Sequence, residues 1–363
     1  MDMMKRRVLI GLHESAGIGW KSIERILETG CLENATEFTS SDWVNCGLTE
    51  TQSVKMATHF TDAWLEQREE LIHRKGIEVM TWLDEDYPLL MKESVRPPWV
   101  MYLIGDRKLL TSFSIAIVGT RVPTAYGRKV AELLTTELCR HKVTIVSGMA
   151  RGIDGVCHEA ALRCGGATIA VLGTAIDTAY PSEHTALYRQ IAANGLVVSE
   201  YPIGTPPHPG LFPQRNRIIA GLTRGTLVVE ADVRSGSLIT ADSAMEANRD
   251  VFAVPGQITS PKSSGALGLI KQGAKLVTSA EDILEEYGIQ NEPGSSEQEI
   301  LSEGNKLTEQ EQHIYHMLEQ STLSFDGLLS RTRWDFGLLH SVLLSLIIKK
   351  QVVQLPGSIY KII

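Results

Sequence analysis

The stretch Val143-Thr144-Ile145-Val146-Ser147-Gly148-Met149-Ala150-Arg151-Gly152-Ile153-Asp154, residues 143–154, decides the fold class. It is an apolar run that ends in a small residue and a glycine-rich turn, and a helix-length segment at residues 155–163 follows it. Similar apolar runs recur on both sides, at residues 115–119, 167–173, 196–200, 226–231 and 251–256. Runs with so little polar alternation are typical of strands that are buried on both faces.

The segments between these runs indicate how the strands are connected. Residues 127–138, 155–163 and 238–248 have the length of helices, so strands and helices alternate along the chain. This order predicts an extended Rossmann-like α/β fold, with a doubly wound and mostly parallel sheet covered by helices on both faces. Residues 78–83 and 99–104 are candidates for additional strands.

Composition changes divide the 363 residues into three domains and a linker. Residues 1–75 contain short helices with polar breaks, for example at residues 20–28 and 53–75, and residues 76–288 form the α/β domain. Residues 289–306 are predicted to be a linker, because they are rich in Glu, Ser, Gly and Pro. Residues 307–363 form a final small domain, with helices and two short strands around Pro356-Gly357.

The bulk numbers limit the possible functions. Hydrophobic residues make up 43% of the chain and charged residues 21%, which is ordinary for a globular protein. No apolar run approaches the roughly 20 residues of a membrane helix, and a cytoplasmic location is expected. The net charge of −8 excludes nucleic-acid binding by global attraction, so any such binding requires a local cluster of cations.

The cysteines do not indicate a metal site or a disulfide framework. There are five of them, an odd number, and no pair has CxxC spacing. They are Cys31, Cys46, Cys139, Cys157 and Cys164. We expect reduced, buried thiols and no bound metal.

The residues that follow the predicted strands indicate an anion-binding crevice. In doubly wound sheets, ligands bind at the carboxyl ends of the strands, where helix N-termini direct free N–H groups outward. Small hydrogen-bond donors and arginines occupy these positions, and the segment at residues 212–217 adds two guanidinium groups and an amide beside an aromatic ring. This combination suits phosphate contact together with base stacking. The candidate residues are Arg121, Ser147, Gly148, Arg151, Gly152, Phe212, Arg215, Asn216, Arg217, Ser235, Gly236 and Ser237.

Other ligands and activities have less support. Gly119-Thr120-Arg121 does not follow GxGxxG, and the chain contains no GxxxxGK[ST] loop, so no cofactor is predicted. Asp154 and His158 lie four residues apart and are either an acid–base pair or a pair that orients a helix. One alternative function is therefore nucleotide hydrolysis, with Glu230 and Asp154 as acid–base candidates. The other is nucleotide sensing.

Several motifs, in this order, resemble the DprA (DNA-processing) family. They are Ile117-Val118-Gly119-Thr120-Arg121, residues 147–154, Phe212-Pro213-Gln214-Arg215-Asn216-Arg217 with residues 218–222, Val229-Glu230-Ala231, residues 235–241 and Val254-Pro255-Gly256. The resemblance extends over residues 80–290. The flanking regions resemble, more loosely, the family's N-terminal SAM-like domain and its C-terminal winged-helix-like domain.

The resemblance implies a function without catalysis. The family binds incoming single-stranded DNA and helps to load the recombinase RecA onto it during natural transformation and recombination, and its members form homodimers. By this resemblance, the same candidate arginines, glycines and Phe212 would contact DNA. No catalytic residue and no membrane partner are implied.

The sequence departs from the family pattern in two places, and the flanking domains add weaker candidates. Ala175 replaces a usual glycine, and Ser182-Glu183-His184 replaces a loop that often carries Lys and Asn, which puts that loop's role in DNA binding in doubt. The turn at residues 16–19 resembles a helix-hairpin-helix phosphate site, or is a purely structural turn. Four basic residues of the last domain either contact phosphate or are ordinary solvated charges: Arg331, Arg333, Lys349 and Lys350.

Overall fold

The computed structural model describes residues 3–30, 32–289, 308–332, 334–348, 351–355 and 359–362. It divides into two compact units, Met1–Gly288 and Ile289–Ile363. Apart from Ile289, the predicted linker at residues 289–306 lies outside the described residues. The predicted domain boundaries at residues 75 and 306 stay predictions.

Short helices open the first unit. They are α1 (Met3–Glu14), α2 (Trp20–Thr29), α3 (Ser40–Asn45), α4 (Glu50–His59) and α5 (Asp62–Arg74). The prediction of one helical segment at residues 53–75 was wrong, because the chain breaks between α4 and α5. Thr61 causes the break: its hydroxyl accepts a hydrogen bond from the N–H of Trp64 at 3.3 Å and so caps the start of α5.

A nine-stranded sheet forms the centre of the first unit. Its strands are β1 (Glu78–Thr81), β2 (Val100–Gly105), β3 (Ser114–Val118), β4 (Thr144–Ser147), β5 (Thr168–Leu172), β6 (Leu196–Ser199), β7 (Gly225–Val228), β8 (Asp250–Ala253) and β9 (Lys275–Leu276). The spatial order is β1-β2-β6-β5-β4-β3-β7-β8-β9. Strands β3 to β9 pair in parallel, whereas β1 and β2 pair antiparallel at one edge. The predicted doubly wound, mostly parallel α/β class is therefore confirmed.

Helices connect the strands and cover the sheet. They are α6 (Leu89–Lys92), α7 (Ala125–Arg140), α8 (Ile153–Arg163), α9 (Thr185–Asn194), α10 (Leu211–Gly221), α11 (Gly236–Glu246), α12 (Ser264–Lys271) and α13 (Glu281–Leu284). All the residues of β3, β4 and β5 are buried, as their apolar runs predict. Side chains alternate between the two faces, so Tyr102 joins one hydrophobic cluster while Met101 and Leu103 join the other.

A tryptophan seam, made of Trp20, Trp82 and Trp99, joins the N-terminal helices to the sheet. Trp20 stacks on Trp99 with ring centroids 5.1 Å apart, and Trp82 meets Trp99 edge-on at 5.7 Å. The indole N–H of Trp20 donates to the carbonyl of Pro97 at 2.7 Å, and that of Trp99 donates to the carbonyl of Trp20 at 3.0 Å. Both indole N–H groups are therefore satisfied, with Trp99 buried and Trp20 partly buried, which favours one fixed packing of α2 on the sheet.

The second unit contains helices and a small antiparallel sheet. Its elements are α14 (Glu309–Gln320), β10 (Leu323–Ser324), α15 (Phe325–Thr332), α16 (Phe336–Ile348), β11 (Val352–Leu355) and β12 (Ile359–Ile362). The winged-helix-like assignment stays a prediction. Arg333, Lys349, Lys350 and the turn Pro356-Gly357 lie outside the described residues.

The cysteines agree with the sequence analysis except at one position. Cys46, Cys139 and Cys157 are buried, but Cys164 is exposed, so the prediction of a buried thiol was wrong there. The reason is local, because Cys164 is the C-cap of α8, where the chain turns at the surface. Cys31 lies outside the described residues.

Candidate functional site

A crevice opens at the carboxyl ends of the parallel strands, where the strand order reverses. From β3 the chain continues to β4 on one side, whereas β7 pairs with β3 on the other side. A cavity of 320 Å³ lies at this switch point, between the segment after β3, helix α10 and the start of α11. Ligands in doubly wound folds bind at this location. Seven predicted site residues line this cavity: Arg121, Phe212, Arg215, Asn216, Ser235, Gly236 and Ser237.

A smaller cavity of 50 Å³ continues this site towards the segments that follow β4 and β5. It shares Arg121, Phe212 and Arg215 with the first cavity and adds the predicted residues Gly148 and Arg151. We call the two cavities together the crevice. It therefore brings together nine of the twelve residues that the sequence predicted.

Three predicted residues are absent from the walls of the crevice. The Ser147 hydroxyl is fully buried and donates to the carbonyl of Ile117 at 2.6 Å. One Nη of Arg217 lies 2.6 Å from both carboxylate oxygens of Glu200, at the end of β6. Gly152 has a φ of +79°, and a Cβ there would lie 2.3 Å from the carbonyl oxygen of Thr120. These residues hold the surrounding segments together, and a direct DNA contact by them stays a prediction.

Arg215 forms the buried floor of the crevice. Only 4% of its surface is exposed, and one Nη donates to the carbonyl of Gly148 at 2.7 Å and also to the carbonyl of Val171. Burial lowers the pKa of Arg215 to about 10, and the negative charge of nearby Asp154 opposes that shift. The guanidinium group therefore remains charged at neutral pH and links the turn that follows β4 to the end of β5.

Asp154 lies beside Arg215 and organises the glycine-rich turn. Its carboxylate accepts hydrogen bonds from the N–H groups of Gly148 at 3.1 Å and Ala150 at 3.4 Å. Burial raises the pKa of Asp154, while the positive charge of Arg215 acts in the opposite direction. His158, four residues later, instead contacts the hydroxyl of Thr168 at 2.7 Å, and burial lowers its pKa to about 3. Of the two interpretations of this pair, the geometry favours helix orientation.

Glu230, the other acid–base candidate, is hydrogen-bonded to Thr124, the residue that caps the start of α7. Its carboxylate accepts from the N–H of Thr124 at 2.9 Å and from the hydroxyl of Thr124 at 2.5 Å. Only 3% of Glu230 is exposed. A Cβ at Gly127 would lie 2.3 Å from its carboxylate, so the first turn of α7 needs glycine there. The nucleotide-hydrolysis alternative therefore depends on two carboxylates that are occupied by structural contacts.

The two other arginines of the crevice, Arg121 and Arg151, are exposed, but they differ in whether a described residue pairs with them. Arg121 makes no hydrogen bond or ion pair with any residue in the described part of the chain. Arg151 forms a two-point ion pair with Glu183, in which its Nη2 lies 2.6 Å from Oε2 while its Nε donates to Oε1. The hydrogen bonds of this pair raise the pKa of Arg151 and lower the pKa of Glu183. Arg121 is therefore the cation that is most available to an anion.

The start of α11 contributes small donors to the opposite wall. The Ser235 hydroxyl accepts from the N–H of Ser237 at 3.4 Å and caps the helix, and a Cβ at Gly236 would meet nothing within 4 Å. Asn216 on α10 donates to the carbonyl of Gly236 at 3.2 Å, which fixes the two helix starts to each other. The backbone at Gly236 is therefore open to a close approach by a ligand.

Sequence analysis missed Tyr180 as a site residue. The residue is 47% exposed, and its ring packs against Phe212, with centroids 5.0 Å apart and planes tilted by 38°. Together the two rings form an aromatic platform at the mouth of the crevice. The available signal was an aromatic residue in the segment after β5, at the same sheet edge as the other candidates.

The described residues show no sign of a resident metal or a membrane span. No three His, Cys, Asp or Glu side chains among them are placed to hold a metal ion. None of the described helices has the length and apolarity that crossing a membrane requires.

Comparison with known proteins identifies the family. Residues 78–288, more than half of the chain, match the family described as DNA recombination-mediator protein A. DNA processing protein DprA of Bacillus subtilis is 45% identical over 218 residues, which is 60% of this chain and 73% of that protein.

Two solved structures extend this similarity to the fold. DprA from Streptococcus pneumoniae superposes with a TM-score of 0.69 at 39% identity, covering 76% of this chain and 96% of that one. DNA processing protein A from Helicobacter pylori, in a structure concerned with its single-stranded DNA binding mode, gives a TM-score of 0.53 at 30% identity. That similarity covers 58% of this chain and 95% of the other. With its fold, its crevice and the family match over the whole α/β domain, this chain belongs to the DprA family of DNA recombination-mediator proteins.

Proposed function

We propose that the crevice binds single-stranded DNA. The observation that carries this proposal is Arg121, which is exposed and has no partner among the described residues, beside the aromatic platform of Tyr180 and Phe212. A guanidinium group without a partner suits a phosphate, and solvent-accessible rings suit the unpaired bases of a single strand of any sequence. The single-stranded DNA binding mode of the Helicobacter pylori relative supports the proposal.

The shape and charge of the site favour a single strand over a duplex. The crevice is a narrow cleft at one sheet edge, and an overall charge of −8 opposes binding along an extended nucleic-acid surface. Local cations can overcome this charge over short distances, because salt screens the remaining charges beyond about 8–10 Å. The bases of a duplex are paired and stacked, so they cannot lie on the platform without being unstacked.

The test compares oligo-dT with a hairpin duplex of equal nucleotide number, by fluorescence anisotropy at several salt concentrations. We expect tighter binding of the single strand, with an affinity that falls as salt rises because phosphate contacts release counterions. A random-sequence single strand serves as the control for weak sequence preference. Equal affinity for the single strand and the duplex would contradict the proposal.

We further infer the biological role from family membership. The protein acts in natural transformation and DNA recombination as a homodimer that protects incoming DNA and helps RecA to assemble on it. It acts without catalysis of its own, and the engagement of Asp154 and Glu230 in structural hydrogen bonds supports this view. The test measures RecA ATPase activity on single-stranded DNA coated with single-strand-binding protein. Acceleration by the protein is expected, and its absence at saturating concentration would contradict this role.

Removal of one ring of the platform should weaken binding without unfolding the protein. For Tyr180→Ala we expect a loss of about 1–3 kcal/mol of binding free energy, which is the usual value of one base–aromatic stack. Tyr180→Phe keeps the ring and is the matched control, and it should bind like the wild type. Anisotropy with oligo-dT measures the affinities, and thermal melting checks the fold. Wild-type affinity of a folded Tyr180→Ala would remove Tyr180 from the site.

A further inference from the structure

The carboxylate of Glu183 forms an ion pair with Arg151, one of the arginines at the mouth of the crevice. Arg151 lines the smaller cavity together with Arg121 and Arg215. Its Nε and Nη2 each donate to one carboxylate oxygen of Glu183. The pair is open to solvent, with 60% of the Arg151 side chain and 49% of the Glu183 side chain exposed. A ligand that enters the crevice can therefore reach both partners.

The contact has the geometry with which arginine holds phosphate. Carboxylate and phosphate each offer two oxygens to the fork of a guanidinium group, so either anion fits the same two donors. Arg121 has no partner in the described part of the chain, and Arg215 donates to two backbone carbonyls. Arg215 also donates to the Asn216 side chain and is buried, so Arg151 is the exposed arginine of the crevice whose availability depends on a carboxylate.

Glu183 is held in place by its neighbour in the chain. It belongs to a single 3₁₀ turn, Ser182–His184, and Nδ1 of His184 lies 2.9 Å from the carbonyl oxygen of Met149. Met149 precedes Arg151 by two residues in the turn after β4. The segment that carries the carboxylate is therefore attached to the segment that carries the arginine, which keeps the ion pair formed when the crevice is empty.

We propose that Glu183 is an internal competitor of phosphate, and that DNA binding transfers Arg151 from Glu183 to a phosphate oxygen. The inference rests on the proposed single-stranded DNA function of the crevice. Binding must break an existing ion pair and leaves a carboxylate near the incoming phosphate. Both effects lower affinity, and they favour ligands with enough phosphates to compensate. Glu183 therefore lowers the affinity of every ligand that uses Arg151, and mononucleotides and very short strands, which make few other contacts, are the first to become too weak to bind.

The test is the substitution Glu183→Gln in the full chain, which removes the charge and keeps the size. Since exposed ion pairs are weak, we expect the affinity for oligo-dT to rise by about two- to fivefold. The slope of log K against log salt should become steeper by at most about 0.7, the value per phosphate on a single strand, because the freed carboxylate of the wild type takes up a cation that offsets part of the counterion release. In an Arg151→Ala background, Glu183→Gln should have a smaller effect on affinity, because only the repulsion between the carboxylate and the phosphate remains.

The matched control is Glu137→Gln, which also breaks an exposed arginine pair and removes one negative charge. Glu137 contacts Arg140 at 2.7 Å near the far end of α7, away from the crevice. If both substitutions tighten binding equally, global charge explains the effect and the proposal is wrong. It is also wrong if Glu183→Gln tightens binding by the same factor with and without Arg151. Failure of the wild type to bind single strands would instead contradict the proposed function, whereas wild-type binding that Glu183→Gln leaves unchanged contradicts only the role of Glu183.

Discussion

Replacement of Arg215 by alanine is expected to lower the free energy of unfolding by about 3–5 kcal/mol, the usual cost of removing a buried charged group and leaving its buried polar neighbours uncompensated. The substitution removes the donor for the carbonyls of Gly148 and Val171 and one of the two positive charges, with Arg121, that counteract the burial of Asp154. DNA binding should be lost as well, because the turn after β4 and the end of β5 lose their common anchor. Urea unfolding and oligo-dT anisotropy measure the two effects.

The pH dependence of the stability of Arg215→Ala shows whether the buried charge of Asp154 causes the loss of stability. Burial already raises the pKa of Asp154 in the wild type, and loss of Arg215 should raise it further. A carboxyl group whose folded pKa lies above its unfolded value binds its proton more tightly in the native state, so stability rises as pH falls through the folded pKa. We therefore expect Arg215→Ala to regain stability in mild acid relative to the wild type.

A double variant provides the control. Asp154→Asn keeps an oxygen for the N–H groups of Gly148 and Ala150 but carries no charge. Combined with Arg215→Met, which fills most of the same volume, it should be more stable than Arg215→Ala alone. If Arg215→Ala has wild-type stability at every pH, the buried pair does not hold the crevice together.

Replacement of Arg121 by alanine should have the opposite profile, with a large effect on binding and none on stability. A lost charge-assisted phosphate contact costs about 1.5–3 kcal/mol, so affinity should fall by roughly ten- to 150-fold. The slope of log K against log salt should become shallower by about 0.7. The melting temperature should not change, because Arg121 is exposed and has no partner in the described residues.

The matched control for Arg121 is Arg224→Ala. Arg224 is also exposed, but it directly precedes β7 and so lies at the amino end of the strand, at the opposite edge of the sheet. Its removal changes the net charge equally and should leave binding intact. If the two variants lose the same affinity, overall charge controls binding and Arg121 is not a specific contact.

The sequence predicted the sheet well because each strand has a local signal. The apolar runs of β3 to β8 are short, lack alternation and end at small residues, and all of them proved to be strands, fully buried in β3 to β7 and buried in the second half of β8. The antiparallel pairing of β1 with β2 was not predictable from the same signal. The reversal also involves β6, with which β2 pairs antiparallel although the two strands are far apart in sequence, so no local pattern could reveal it.

The role of each arginine could not be predicted, because it depends on distant residues. Arg215 and Arg217 lie two positions apart on α10, so they point to different sides of the helix, and one meets carbonyls 44 and 67 residues away while the other meets Glu200. Arginine is usually exposed, so composition suggested that both were available. The partner of Arg151, Glu183, lies 32 residues away. The sequence analysis considered its loop only because a lysine that is usual there is missing.

The tryptophan seam has a consequence for spectroscopy. Five of the six tryptophans, Trp20, Trp43, Trp64, Trp82 and Trp99, precede residue 100, and the sixth is Trp334 in the second unit. None of them lines the crevice, whose aromatic platform consists of a tyrosine and a phenylalanine. Intrinsic fluorescence excited at the red edge of tryptophan absorption therefore reports whether the N-terminal helices are docked on the sheet. Emission that stays constant during a DNA titration means that the seam is intact while the crevice fills.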